Sequence, residues 1–193
     1  MSISRRLSAS IPLGVAQESA ATQIFWTVVF AAATALGARV EIPHQPVPYT
    51  LQTLVVLLAG AFLGPRNGAL SQVLYLAAGV LGAPVFSGGA MGVARILGPT
   101  GGYLLAFPVA AAVVGYLIQS SRSLAWSFVS MAAGLLVVFL AGTVQLYAVV
   151  FRDWAEAFRN GFLIFSWWDI LKLSAAAMTY HEVAKRWARL PEE

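Results

Sequence analysis

Cysteine is absent from this chain and charge is scarce: acidic and basic residues together make up 10% of the sequence. The first absence excludes disulfides and thiolate chemistry, and with them any inference about the redox compartment. The second excludes an ordinary soluble domain, in which about a quarter of the residues are charged. Also missing is any G-x-x-x-x-G-K-[ST] run, so the chain has no recognisable phosphate loop and no means of its own for using ATP. No internal repeat, direct or inverted, suggests a complete alternating-access carrier. The two histidines, His44 and His181, should lie on opposite sides of a membrane, where they cannot share a metal. Ser87 precedes Gly88-Gly89 but lacks a Gly-x-Ser-Gly setting and a histidine base on its own side. An enzyme is therefore not expected, nor a metal or cofactor of the chain's own.

What is present is apolar length. Hydrophobic residues make up 59% of the sequence, and uncharged stretches run from Ser19 to Ala38, Ile42 to Pro65, Asn67 to Ala94, Ile96 to Ser121 and Ser123 to Phe151. Each reaches the roughly 20 residues that a helix needs to cross a bilayer. A sixth apolar segment runs from Trp167 to about Trp187. Backbone polar groups in lipid must find partners internally, and the continuous apolar runs lack the alternation of a barrel. The expected fold is an all-α integral membrane protein: a single domain over residues 1–193, built as a bundle of six transmembrane helices. Residues 1–17 would form a cytoplasmic N-terminal segment and 188–193 a cytoplasmic tail.

With six spans and an inner N-terminus, Arg5, Arg6, Arg66, Arg122, Lys185, Arg186 and Arg189 fall inside, and Arg39, Arg95, Arg152 and Arg159 outside. That excess fits the positive-inside rule, so the net charge of +4 reads as orientation in the cytoplasmic membrane and not as a nucleic-acid footprint. The basic start at Arg5-Arg6 resembles a signal peptide, but Gln17 and Glu18 interrupt any compact apolar core, and no cleavage is expected.

Helix-stop signals at Gly64-Pro65 and at Gly82-Ala83-Pro84 place the second helix over Leu51 to Leu63 and the third over about Gly68 to Leu81. The inner turns are short. The three long connections fall on the outer face: the proline-rich stretch Arg39 to Thr50, stiff and extended; the Gly-rich, apolar stretch Val85 to Tyr103, with the composition of a lid; and Arg152 to Arg159, amphipathic and suited to the interface. Elaboration thus concentrates on the side from which a solute would arrive.

Asp169 and Lys172 stand three residues apart near the start of the last apolar segment, on one face of a helix. Ionisable groups at membrane depth are costly and usually face a protein interior or cavity. They form either a structural ion pair or snorkelling groups at the interface, or a site for a small zwitterionic or carboxylate solute. In the last case Lys172 neutralises an anionic group, and Asp169 accepts hydrogen bonds or orients the lysine. Gly98-Pro-Thr-Gly-Gly-Tyr103 is either a turn with Thr100 as the N-cap of the fourth helix or a close backbone approach to ligand. Gln52, Gln72 and Gln145 are amides in apolar helices, by default interhelical glue; Gln52 opens its helix on the outer side, within reach of a ligand. Tyr75, Phe86, Trp167 and Trp168 could wall an apolar pocket, although Trp at an interface ordinarily belongs to the membrane belt. Arg95 is the one charge of the Gly-rich connection and faces either a ligand carboxylate or water. Ala31-x-x-x-Ala35 gives the first helix a small-residue face, for packing within the chain or for a partner subunit.

Val47-Pro-Tyr-Thr-Leu-Gln52-Thr-Leu, Leu63-Gly-Pro-Arg-Asn-Gly-Ala, Tyr75-Leu-Ala-Ala-Gly79 with Gly82-Ala-Pro-Val-Phe86, Gly98-Pro-Thr-Gly-Gly-Tyr103 and Asp169-x-x-Lys172 together resemble the BioY family over most of Gln23 to about Lys185. These are the biotin-specific substrate-binding (S) components of energy-coupling factor (ECF) transporters. The resemblance implies a six-helix S-component fold with an outward site under the three long connections. It also implies biotin as the transported substrate, a transmembrane coupling subunit, and two ATP-binding subunits that supply the energy. It assigns biotin contacts to Asp169 and Lys172, extends them to Gln52, Phe86, Arg95 and Tyr103, and puts the coupling-subunit contact at Ala31 and Ala35. Another S component, or a solitary facilitator for a different small carboxylate vitamin, is the alternative.

Overall fold

The computed structural model describes residues 19–121, 123–163 and 167–184. The expected N-terminal segment and tail, and Arg5, Arg6, Arg122, Lys185, Arg186 and Arg189 of the charge count, lie outside them. The first helix, α1 (Ala20–Arg39), starts where Ser19 caps it, the serine hydroxyl accepting from the Thr22 N–H at 3.2 Å. The proline-rich connection that follows, expected to be extended, closes on itself. A short antiparallel ladder pairs β1 (Glu41–Ile42) with β2 (Tyr49–Thr50), in the register Glu41 to Thr50 and Ile42 to Tyr49.

The next helical element, α2, runs over Gln52–Val80 without an intervening loop, yet it is not one rod. At about 1.5 Å per residue, Gln52 and Tyr75 on a straight helix would stand roughly 35 Å apart. Instead the Gln52 amide donates to the Tyr75 hydroxyl. The chain reverses at Gly64, whose φ of 76° and ψ of 178° lie in a region essentially restricted to glycine. Pro65 then opens the returning limb, where its missing N–H has no helical partner to lose. The stop signal at Gly64-Pro65 is therefore real, but the expected gap at Arg66-Asn67 is helix. The limbs sit very close: a Cβ on Gly68 would come within 2.9 Å of the Gly60 Cα.

After α2 the Gly-rich connection folds into a 3-10 turn (Ser87–Gly89) and the single-turn α3 (Val93–Leu97). The next long element, α4 (Gly101–Leu117), begins five residues later than the apolar run that predicts it, because Gly98-Pro99 breaks the backbone first. Thr100 occupies the N-cap position but makes no side-chain capping bond, which corrects that expectation. Against the hairpin of α2, Gly60 and Gly115 bring backbone onto backbone: their Cβ atoms would meet the Ala111 carbonyl oxygen at 2.3 Å and the Gly64 carbonyl carbon at 2.5 Å. α5 (Leu124–Leu146) is capped by Ser123 and relaxes into a π-turn (Tyr147–Phe151) that ends at Arg152 with φ of 55°. The amphipathic α6 (Trp154–Gly161) starts on an Asp153 cap, and α7 (Trp167–Ala184) completes the described chain.

Four helices among the described residues are long and apolar enough to cross a membrane: Ala20–Arg39, Gln52–Val80, Gly101–Ser120 and Leu124–Phe151. α7 is not one of them; its 18 residues include Asp169, Lys172, His181 and Glu182. The core lies where α2, α4 and α5 meet, around Val56, Leu57, Ala110, Ala111, Val114, Met131 and Leu135. The outward faces are apolar as well, with Ile24, Leu36, Tyr116, Leu140 and Val144 half or more exposed. A surface of that kind suits lipid, where helices gain little from hiding apolar groups from one another and pack instead through small residues. The architecture is all-α and that of a multi-pass membrane protein.

Candidate ligand-binding site

Two of the three long connections line a cavity of about 640 Å³, open solvent at its mouth included; the third, Arg152 to Arg159, supplies none of the lining. Residues 47–53 supply one wall, Phe86 to Arg95 a second, the first turns of α4 from Thr100 to Phe107 a third; Val138 and Phe139 of α5 and Asp169 and Lys172 of α7 close it. Pro48, Ser87 and Arg95 also line an adjoining open cleft with Glu41 and His44, so these three residues mark the mouth.

Asp169 and Lys172 are 2% and 5% exposed and form an ion pair of 2.6 Å. The i,i+3 spacing puts both in the wall, as the sequence suggests. An ammonium has three donors, and Lys172 directs its others to the Thr50 carbonyl at 3.1 Å and the Thr53 hydroxyl at 2.9 Å. Its charge is thus neutralised within the protein, and it ties α7 to the start of α2. Gln52 is similarly engaged: its carbonyl accepts from the Thr50 hydroxyl at 2.9 Å while its amide donates to Tyr75. These contacts hold a polar patch in one geometry beside an apolar wall of Phe86, Leu104, Phe107, Val138 and Phe139.

Arg95 differs. One guanidinium nitrogen donates to the Ser87 hydroxyl at 2.6 Å, but its Nε is buried with no partner among the described residues. Thr100 Oγ1, also in the cavity wall, is in the same state. A buried polar group without a partner costs about 1–3 kcal/mol; these two belong to residues that line the cavity, and a third, Ser130 Oγ, lies outside its lining.

Every expected contact residue, Gln52, Phe86, Arg95, Tyr103, Asp169 and Lys172, lines this one cavity. Tyr75 stands behind Phe86, edge-on at 5.5 Å, and outside the lining. Trp167 is 72% exposed, and neither it nor Trp168 reaches the cavity. Gln72 bonds across to Thr34 at 3.3 Å as interhelical glue, and Gln145 braces the Gly98 carbonyl of the connection above the site at 3.1 Å. Ala31 does not present an open face; it is 7% exposed and part of the core, with Ala35 half-buried against it. The exposed side of α1 is that of Val28, Ala32 and Leu36. Sequence reasoning missed Thr50 and Thr53 as lysine acceptors and Phe107 as wall. Phe107 was within reach, since it repeats Tyr103 one helical turn on.

A helical bundle with an apolar exterior, closed at one end around a small cavity with a buried charge pair and unpartnered donors, is a membrane-embedded solute-binding protein. The sequence carries this further: the BioY family profile matches residues 9–189, and the chain belongs to the BioY family. It is 38% identical to the biotin transporter BioY of Thermotoga maritima, over 81% of this chain and 92% of that one. To the biotin transporter BioY2 of Lactococcus lactis it is 38% identical, over 74% and 79%. Its fold matches the crystal structure of the S-component for biotin from an ECF-type ABC transporter, with a TM-score of 0.79 at 24% identity, over 86% of this chain and 92% of that one.

Proposed function

We propose that the protein captures biotin in this cavity and serves as the S component of an ECF-type transporter in the cytoplasmic membrane. The observation that carries the reading is the division of polar groups between the two parts of the site. Biotin has a carboxylate on a flexible tail, an apolar ring body, and a ureido group with two N–H donors and a carbonyl. Arg95, at the mouth and with an unpartnered Nε, suits the carboxylate. Asp169 suits the ureido N–H groups, as a carboxylate acceptor that Lys172 holds in the cavity wall. The Thr100 hydroxyl suits the ureido carbonyl, and Phe86, Tyr103, Phe107 and Phe139 suit the ring body. Lys172 then acts as the positioning partner of Asp169, in place of the carboxylate anchor that its charge alone suggests.

In this reading each limb of α2 makes one crossing and α7 another, for six in all, with the cavity outward and both termini in the cytoplasm. A transmembrane coupling subunit docks along α1, on the exposed side of Val28, Ala32 and Leu36 next to Ala35. Two ATP-binding subunits supply the energy, and the chain needs no cofactor. Calorimetric titration of biotin into the purified protein, with thiamine and riboflavin as controls, tests the capture role. Tight binding of biotin alone is expected; no binding by a folded sample would overturn the assignment and shift it to another small carboxylate.

A further inference from the structure

Two aromatic rings that line the cavity are each seated on a glycine of a neighbouring helix, and neither glycine lines the cavity itself. Phe86 lies over Gly79 near the end of α2, where a Cβ would stand 2.1 Å from the ring's Cζ and 2.5 Å from its Cε2. Tyr103 lies over Gly142 of α5, where a Cβ would stand 2.2 Å from Cζ and 2.3 Å from Cε1. Neither glycine has a positive φ, and a helix interior favours alanine over glycine. The backbone therefore does not ask for glycine at these positions; the rings do.

Restoring carbon contacts of about 3.5 Å would move either ring by more than an ångström. The rings have little room away from the cavity. Phe86 is backed edge-on by Tyr75, whose hydroxyl is held by Gln52 and by the Val85 carbonyl at 3.3 Å, and Tyr75 in turn stacks on Phe107. Tyr103 is flanked edge-on by Phe139 at 6.1 Å, and its hydroxyl donates to the Gly161 carbonyl at 2.9 Å. The open side for both is the cavity.

We infer that Gly79 and Gly142 are specificity-determining positions: they let two aromatic walls recede between helices, and so set the girth of the ligand that the site accepts, without touching it. The inference rests on the cavity being the ligand site. Dethiobiotin is a fitting probe, because it keeps the ureido ring and the carboxylate tail but lacks the sulfur bridge and is slimmer in the body.

Affinities for biotin and dethiobiotin are measured by calorimetry, and folding by thermal unfolding, on the parent, Gly142→Ala, Gly79→Ala, Phe86→Leu and the double variant Gly79→Ala/Phe86→Leu. Each glycine variant should lose at least tenfold for biotin and no more than threefold for dethiobiotin. The double variant should bind biotin within threefold of Phe86→Leu alone. Equal losses for the two ligands, unchanged biotin affinity, or no recovery in the double variant would overturn the inference. If Gly79→Ala does not fold, folding of the double variant supports the socket, and its failure to fold shows that the Cβ meets something other than the ring. Should the parent not bind biotin at all, the biotin reading falls by itself; recovery of the Gly79→Ala unfolding temperature by Phe86→Leu then decides the socket.

Discussion

Removing Lys172 should unlatch the cavity wall even when no ligand is present. Its ammonium serves three acceptors at once: Asp169, the Thr50 carbonyl and the Thr53 hydroxyl. Both members of the pair are almost fully buried. Lys172→Met keeps the length of the side chain and deletes the charge, leaving a buried carboxylate without its counter-ion; breaking such a pair costs about 3–5 kcal/mol. For a chain of this size that corresponds to a fall in unfolding temperature of roughly 6–20 °C. Asp169→Asn should cost less, because the lysine keeps two of its three acceptors. The double replacement Asp169→Leu/Lys172→Met removes both charges and should be more stable than Lys172→Met alone by about 2 kcal/mol or more, since apolar residues of similar volume replace buried pairs with little loss. Thermal unfolding of the four ligand-free proteins in one detergent measures all of this. A double variant no more stable than Lys172→Met, or a Lys172→Met protein within about 2 °C of the parent, would refute the reasoning that the pair holds α7 to the start of α2.

Arg95→Ala should weaken biotin by tenfold or more and biotin amide by much less, in paired titrations; equal losses would place the carboxylate elsewhere. Gly64→Ala should destabilise the bundle by about 1–3 kcal/mol in thermal unfolding, because an L residue at φ 76° and ψ 178° is strained even with open space around it. Ala32→Leu, on the exposed side of α1, should leave biotin binding intact and reduce uptake in cells that contain the coupling and ATP-binding subunits; unimpaired uptake would move the docking face off α1.

Much of this molecule is legible from the chain alone, and the gaps have physical causes. Apolar length marks the helices because lipid leaves the backbone no other partners. Asp169 and Lys172 stand out because charge is rare at such depth, and a three-residue spacing fixes their common face. A stop signal such as Gly64-Pro65, however, carries no direction: it ends a helix without saying that the next begins at once and runs back. Ala31 shows a second limit. A helix that is apolar all round has no contrast between its faces, so a small-residue motif on α1 does not declare whether it faces the core or lipid. The acceptors of Lys172 are hidden for a third reason: Thr50 and Thr53 lie about 120 residues away, and threonine is too common at helix starts to signal a contact.

The glycines at the turn of α2 bear on how the bundle exchanges its contents. From about 12 Å along the helix from Gln52, the two limbs and α4 meet through Gly60, Gly68 and Gly115 with backbone against backbone. Where backbone touches backbone no side chain stands between the helices to rotate aside, so at this level the two limbs and α4 are held together as one body. This contact of the two limbs with α4 is thus a seam and not a door.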